Sequence, residues 1–408
     1  MLAMKRRKKG AYGRNLLILC VLLTASVAVG WWIWGDHSSN QQSTSHAPSV
    51  RQESPVPKPV SAQAKVLFGG TTFWGRMTEE WSMKSPLKYK FPFQRLKEFD
   101  REKYTAWIAG LECPMKASVH MTAAEQEENL QFNCSPDFLP EAKKWFTAFT
   151  LANNHSDNQG ADGFAETKKH LDENGIQYFG HYDPKKTEDT CDVIALPVKV
   201  KKDDGQSVEG KLPVAMCGYH GVFGIPPEES VAVMKRYSKV MPVFALPHMG
   251  AEYKPAPDQI KTDFYRSLID GGADAVIADH PHWVQTTEAY KGHLIVYSMG
   301  NFMFDQQFNL EVTRSAAIRM EMEVKDESDL EAWLKIGETC GTYHDDCLEK
   351  IEDRKLKKLS ATYKFGVVGT RDDNKQTHLA NPSDNAAILQ RLNWNQTMSR
   401  LDSPYGSL

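Results

Sequence analysis

The sequence has no internal repeat, no C-x-x-C pair and no surplus of positive charge in its body. The missing repeat excludes a solenoid or propeller array. The missing C-x-x-C spacing excludes a zinc ribbon, including at Cys340 and Cys347. The charge balance is 49 basic against 52 acidic residues, a net −3, and six of the basic ones fall within the first fourteen positions. The remainder of the chain is therefore acidic, which excludes nucleic acid as a partner. At 408 residues, length limits nothing, because one large domain or two can build a full core.

The chain opens with Lys5, Arg6, Arg7, Lys8, Lys9 and Arg14, then an uncharged apolar run from Leu16 to Trp34. As a helix that run rises roughly 28 Å, close to the hydrocarbon thickness of a bilayer. The basic flank predicts a cytoplasmic N-terminus and export of everything beyond Trp34. A cleaved signal peptide competes with this reading, since Ser26-Val27-Ala28 offers small residues at a cleavage position. Trp31, Trp32 and Trp34 favour a retained anchor, because tryptophans gather at membrane interfaces. The expected plan is a basic cytoplasmic segment (1–14), a single transmembrane anchor (15–36) and a disordered Ser/Gln/Pro-rich linker (37–63). An extracytoplasmic domain (64–324) and a charged helical extension with a polar tail (325–408) complete it.

Six cysteines lie on the exported side: Cys113, Cys134, Cys191, Cys217, Cys340 and Cys347. An even number in an oxidising compartment predicts disulfides, and six allow fifteen pairings. Cys340 with Cys347 is the expected local pair.

The body alternates short apolar runs with helical stretches. Lys65 to Gly70, Trp107 to Gly110, Trp145 to Ala152, Ile176 to Phe179, Pro213 to Cys217, Val240 to Leu246, Ala273 to Ala278 and Leu294 to Tyr297 read as strands. Helices are expected near Gly160 to Asn174, closed by Gly175, and near Asp258 to Gly271. This is the rhythm of a layered α/β fold. From Ile318 to Val324 apolar and charged residues alternate, as in a half-exposed strand.

Residues able to hold a metal sit just past these strands. They are Glu112, Asn154, His155, His248, His280 and His282. Carboxylate, amide oxygen and imidazole together suit Mn, Fe or Zn better than Ca or Mg. A bound ion of that kind lowers the pKa of water and polarises a phosphoryl or carbonyl oxygen. In His280-Pro281-His282 the proline fixes its own φ and restricts His280, which predicts extended backbone. Side chains at that spacing leave an extended strand on opposite faces, so a loop must converge them. Taken singly, each residue also has an ordinary structural reading: Glu112 as a solvated strand end, Asn154 as a turn or cap, His248 as a turn residue. His220, in G-Y-H-G, reads as structural.

Six motifs stand in series. The first three are G-G-T-T-F-W-G-R at Gly69 to Arg76, L-E-C-P at Leu111 to Pro114 and L-A-N-N-H at Leu151 to His155. The other three are H-M-G-A-E-Y at His248 to Tyr253, H-P-H-W-V-Q at His280 to Gln285 and V-Y-S-M-G-N-F-M-F-D at Val296 to Asp305. In order and spacing, over about Ala64 to Val324, the chain resembles the capsule-biosynthesis CapA family of poly-γ-glutamate proteins, within the calcineurin-like metallophosphoesterase superfamily. The resemblance implies an α/β four-layer sandwich of two central β-sheets flanked by helices. It implies Glu112, Asn154, His248, His280 and His282 as metal ligands and His155 as a proton donor or charge stabiliser. It further implies that Arg76 meets an anionic group and that Gly300 and Asn301 serve the substrate side of the site.

The chain departs from the family pattern at three places. Gly70-Thr71 stands where the family has Gly-Asp, so the first carboxylate ligand is missing. Gly110 replaces an Asn, and Asn158, beside Asp157, stands where an Asp is expected. One ion rather than two becomes credible. The resemblance implies either of two functions. One is a membrane-anchored, extracytoplasmic, metal-dependent hydrolase or transferase acting on an amide or phosphoester of an anionic cell-surface polymer such as poly-γ-glutamate. The other is a non-catalytic polymer-binding or assembly component that works with capsule synthesis or export proteins.

Overall fold

In the computed structural model, residues 56–325, 328–340 and 347–408 are described. The expected basic segment and transmembrane anchor, and the expected linker as far as residue 55, lie outside them. Among the described residues no helix is long and apolar enough to cross a membrane.

The architecture is mixed α/β, a large central sheet with flanking helices. Its strands are β1 (Pro59–Thr72), β2 (Ala106–Leu111), β3 (Ala148–Thr150), β4 (Gln177–Phe179), β5 (Cys191–Lys202), β6 (Ser207–Gly221), β7 (Val243–Met249) and β8 (Ala275–Ile277). They continue through β9 (Thr287–Tyr290), β10 (His293–Val296), β11 (Asn301–Met303), β12 (Arg314–Val324), β13 (Thr362–Asp373), β14 (Gln376–Leu379) and β15 (Tyr405–Ser407). The longer arm runs β14-β13-β12-β1-β5-β6-β7-β8-β10-β9. A second arm of parallel strands, β2, β3 and β4, branches from β1.

The fork lies within β1. Its first part pairs antiparallel with β12 and β5, and its last part runs parallel to β2 and β11. Because side chains alternate along a strand, Val66 and Phe68 enter one hydrophobic core while Leu67 enters the other, with Trp74 and Trp107. The expected pair of central sheets is thus hydrogen-bonded into one branched sheet through this strand.

Two segments differ from expectation. The linker expected to reach residue 63 ends earlier, since Pro59 to Gln63 already belong to β1 and Ala62 is fully buried. The Pro, Ser and Gln in this stretch disguise a backbone paired with β5 from Pro59 to Gln63 and also with β12 from Ala62 on. The supposed polar tail supplies β13, which pairs with β12 from Arg314↔Arg371 to Glu323↔Thr362. Tyr363 and Phe365 face the core while Thr362 and Lys364 face water, so composition alone reads as polar.

Other elements agree with the sequence pattern. A helix spans Gly160–Asn174 and closes on Gly175, whose φ of 68° is the left-handed cap that glycine adopts freely. Asp258 caps the helix Gln259–Asp270 by accepting the Lys261 N–H. From Ile318 to Val324 the apolar side chains are buried and the charged ones half-buried. Three disulfides form: Cys113–Cys134, Cys191–Cys217 and the local Cys340–Cys347. The first lies one residue past Glu112 and ties that strand end to a neighbouring loop.

Close approach also fixes the floor of the site. The Thr71 N–H donates to the Gly300 carbonyl at 3.2 Å, and a Cβ on Gly70 would overlap that carbonyl oxygen. Both partners are backbone, so nothing can swing aside. Gly70→Ala is therefore expected to destabilise the protein by about 3 kcal/mol, read as a fall of several degrees in thermal unfolding. Gly224→Ala, where no atom lies within 4 Å of the new methyl, should leave the transition unchanged.

Candidate metal centre

β2 stops at Leu111 and presents Glu112, while β3 stops at Thr150 and leads into Asn153, Asn154 and His155. His248 is the penultimate residue of β7, and β8 ends at Ile277, just before Asp279, His280 and His282. In a parallel sheet these are the carboxyl ends of the strands, the edge on which open α/β proteins assemble sites.

The H-P-H backbone differs from the extended form expected. His280 has φ 92° and His282 φ 57°. Extended residues would send the two rings apart, whereas left-handed ones turn both inward. Such conformations are costly for non-glycine residues and persist where surroundings hold them. Here the Tyr253 N–H donates to the Pro281 carbonyl at 2.9 Å, and the Met299 N–H to the Ala278 carbonyl at 2.9 Å.

The side chains converge. His248 Nε2 lies 2.9 Å from Asn154 Oδ1, 3.1 Å from His280 Nδ1 and 3.6 Å from Glu112 Oε2. Two ligands about 2.1 Å from one ion and at right angles to each other lie ~3 Å apart, so each of these atoms lies at a distance from His248 Nε2 that a cation bound by that ring allows. Glu112 Oε2 is buried and has no hydrogen-bond partner. A lone carboxylate oxygen in that position is a poor structural element but a good ligand. The donor set fits a divalent transition metal. Among the described residues, the group of His, Cys, Asp or Glu side chains whose ligand atoms all lie within 4.8 Å of one another is Glu252, His280 and His282; Glu112 with His248 and His280 is not such a group.

Burial controls the charge states. It pushes the Glu112 carboxyl well above its usual range, helped by the charges of Asp279 and Glu252. It lowers His155 and His282 to about 4, and carries His248 and His280 well below the ordinary imidazole value. At neutral pH the rings are uncharged and can ligate, while Glu112 resists ionising without a cation beside it.

Three expected roles change. The Arg76 guanidinium is only 7 % exposed: its Nε donates to Asp305 at 3.1 Å, Nη1 binds Glu127 at 2.6 Å, and it lies over Phe132. It lines the cleft but is already committed, so it buttresses the wall instead of offering a free anion site. Asn301 and Gly300 are buried beneath the site. The Asn301 amide donates to Val312 and Gln306, and its oxygen faces His282 Nδ1 at 2.7 Å. Asn301 thus orients a histidine and does not touch a substrate. His155 stacks on Phe132 at 3.9 Å and directs Nδ1 to Asn158 Oδ1 at 2.8 Å. That oxygen already accepts the Phe132 N–H, so Nδ1 carries the proton and Nε2, 3.9 Å from Glu112 Oε1, is a proton acceptor. In this neutral form His155 must first take up a proton at Nε2 before it can serve as a donor.

Sequence reasoning misses Glu252 and Asp279. Glu252 lies inside the H-M-G-A-E-Y motif, and Asp279 immediately precedes H-P-H, so adjacency is the available signal. Asp279 is buried, with Oδ1 2.8 Å from His248 Nδ1, and burial pushes its carboxyl up to about 7. His220 faces the Tyr182 carbonyl through Nδ1 and pairs in register with His248 across β6 and β7, while its Nε2 is buried with no hydrogen-bond partner.

The centre opens into a cleft of roughly 970 Å³. Glu80, Glu112, Glu127, Asp157, Glu252 and Asp305 line it, with Arg76 as the one Lys or Arg among the lining residues. Phe223, 81 % exposed, and Phe308, 64 % exposed, stand at its rim.

A family model described as bacterial capsule synthesis protein PGA_cap matches residues 65–201 and 228–306. The PGA biosynthesis protein CapA of Bacillus subtilis (strain 168) is 29 % identical over 263 residues, covering 62 % of this chain and 65 % of that protein. The capsule biosynthesis protein CapA of Bacillus anthracis is 27 % identical over 225 residues, 50 % of this chain and 52 % of that protein. The chain thus spans about half to two thirds of the length of these curated relatives. Among solved structures, one titled as a novel phosphatase of Mycoplasma pneumoniae aligns at a TM-score of 0.37 and 11 % identity. That alignment covers 79 % of this chain and 96 % of the other.

Because burial raises the Glu112 pKa well above its usual range, Mn or Zn uptake near pH 7 should be accompanied by proton release. Calorimetry in buffers of different ionisation enthalpy measures this directly. Glu112→Gln should abolish the release and weaken uptake, and proton-independent binding by the wild type would contradict the charge states described.

Proposed function

We propose, starting from the fact that this chain belongs to the bacterial capsule synthesis protein PGA_cap family, that it acts in capsule or poly-γ-glutamate biosynthesis as a metal-dependent hydrolase or transferase. The bond attacked is an amide or phosphoester. The names of the two Bacillus relatives support the biological role. The observation that carries the chemistry is the convergence of Glu112 Oε2, Asn154 Oδ1, His248 Nε2 and His280 Nδ1. The forked sheet supports the four-layer metallophosphoesterase arrangement as its frame.

A divalent cation (Mn, Fe or Zn) bound there supplies an acidified water and a polarised phosphoryl or carbonyl oxygen. Glu112, Asn154, His248 and His280 would hold it, with His282 and Glu252 available for a second. His155, neutral and fixed by Phe132 and Asn158, takes a proton at Nε2 from the attacking nucleophile and returns it to the leaving group. The carboxylate-rich cleft repels an anionic polymer unless bound cations offset it, so polymer binding is expected to depend on metal. The proposed setting is the outer face of a cell membrane, the segment 15–36 serving as a single-pass anchor with its N-terminus cytoplasmic. The three disulfides favour such an oxidising compartment.

Thr71 favours the second reading, a non-catalytic polymer-binding or assembly component acting with capsule synthesis or export proteins. The two separate by experiment. Metal-loaded full chain is incubated with poly-γ-glutamate and with aryl phosphoesters, and chain length and phenol release are measured. The enzyme reading expects metal-dependent turnover that falls at least ~100-fold in His155→Ala. Metal uptake with no turnover on any such substrate would leave the binding component standing.

A further inference from the structure

We propose that Asp279 is a positioning residue that keeps His248 in the one tautomer able to bind a metal, and that Thr71 and Gly110 are shaped around its carboxylate. The inference rests on the metal-dependent reading of the site. His248 has two possible neutral forms. With the proton on Nε2, the ring donates to Asn154 Oδ1, 2.9 Å away. That hydrogen bond would tie up two of the four converging donors and close the site. With the proton on Nδ1, the Nε2 lone pair faces Asn154 Oδ1, His280 Nδ1 and Glu112 Oε2 and is free to accept, from a neighbouring N–H or from a cation. Asp279 Oδ1, 2.8 Å from Nδ1, favours the second form, the carboxylate–histidine–metal arrangement that fixes a ligand's tautomer and orientation.

The surroundings hold Asp279 for this task. Its N–H donates to the Pro247 carbonyl at 3.1 Å, and a β-bridge ties it to His248 itself, so backbone and ring move together. Thr71 Oγ1 donates to the other carboxylate oxygen at 3.4 Å. A Cβ on Gly110 would overlap that same oxygen, so a side chain there would expel the carboxylate. Two departures from the family pattern, at positions 71 and 110, thereby share one cause. Asp279 is 4 % exposed and is not among the residues lining the cleft, so it acts through His248 and not on a substrate.

The test uses full chain labelled with 15N in its histidine rings, His248 being the signal lost in His248→Gln. In the metal-free wild type, Nδ1 should be protonated and Nε2 bare. In Asp279→Asn the proton should move towards Nε2, and the Kd for Mn or Zn should rise about 10- to 100-fold. Gly110→Ala should give the same shift by displacing the carboxylate, which serves if the first variant does not fold. An unchanged tautomer in whichever variants fold overturns the proposal. So does a Kd within twofold of wild type. Should the wild type bind no metal while the tautomer still shifts, the role of Asp279 stands and the metal-dependent reading falls.

Discussion

One oxygen of Glu112 is buried with no hydrogen-bond partner, and it lies 3.6 Å from His248 Nε2, which itself faces Asn154 and His280 across short gaps. Leaving a carboxylate oxygen in that state costs several kcal/mol if charged, and a buried acid avoids the cost by keeping its proton. A dication meeting it from the direction of the imidazoles removes both problems. Much of the local structure is arranged to hold that unfavourable cluster together until it does.

The cluster holds because of where β1 divides. The strand binds one arm of the sheet through its first half and the other arm through its second, so the ends of β2, β3, β7 and β8 meet along one edge. Left-handed backbone at His280 and His282 then brings two rings inward that an ordinary strand would separate. Support comes from residues that never reach the cleft or only line its wall: Asn301 under His282, Asn158 under His155 and Asp279 behind His248.

Much of this is legible in the sequence. Period-two apolar runs mark the strands, Gly175 and Asp258 mark helix boundaries, and the positions just past the strands name Glu112, Asn154 and His248. These are local signals, set by backbone chemistry within a few residues. The partners of Asp279 are not legible, since Thr71 lies 208 positions away and Gly110 contributes only an absence. Arg76 looks available because its two carboxylate partners, Glu127 and Asp305, arrive from distant segments. β13 is hidden because its buried Tyr363 and Phe365 are interleaved with exposed Thr362 and Lys364, and its end from Thr370 to Asp373 is polar in composition.

Departure from the family pattern at Thr71 does not by itself dismantle the centre. Its hydroxyl joins Asp279, and Glu112 Oε2, Asn154 Oδ1 and His280 Nδ1 remain grouped around His248 Nε2. The most direct measurement is anomalous diffraction from crystals soaked in manganese, recorded at a wavelength where that ion scatters strongly. A peak between Glu112, Asn154, His248 and His280 is the expected result. A map featureless there at full soaking concentration would contradict the existence of a metal centre.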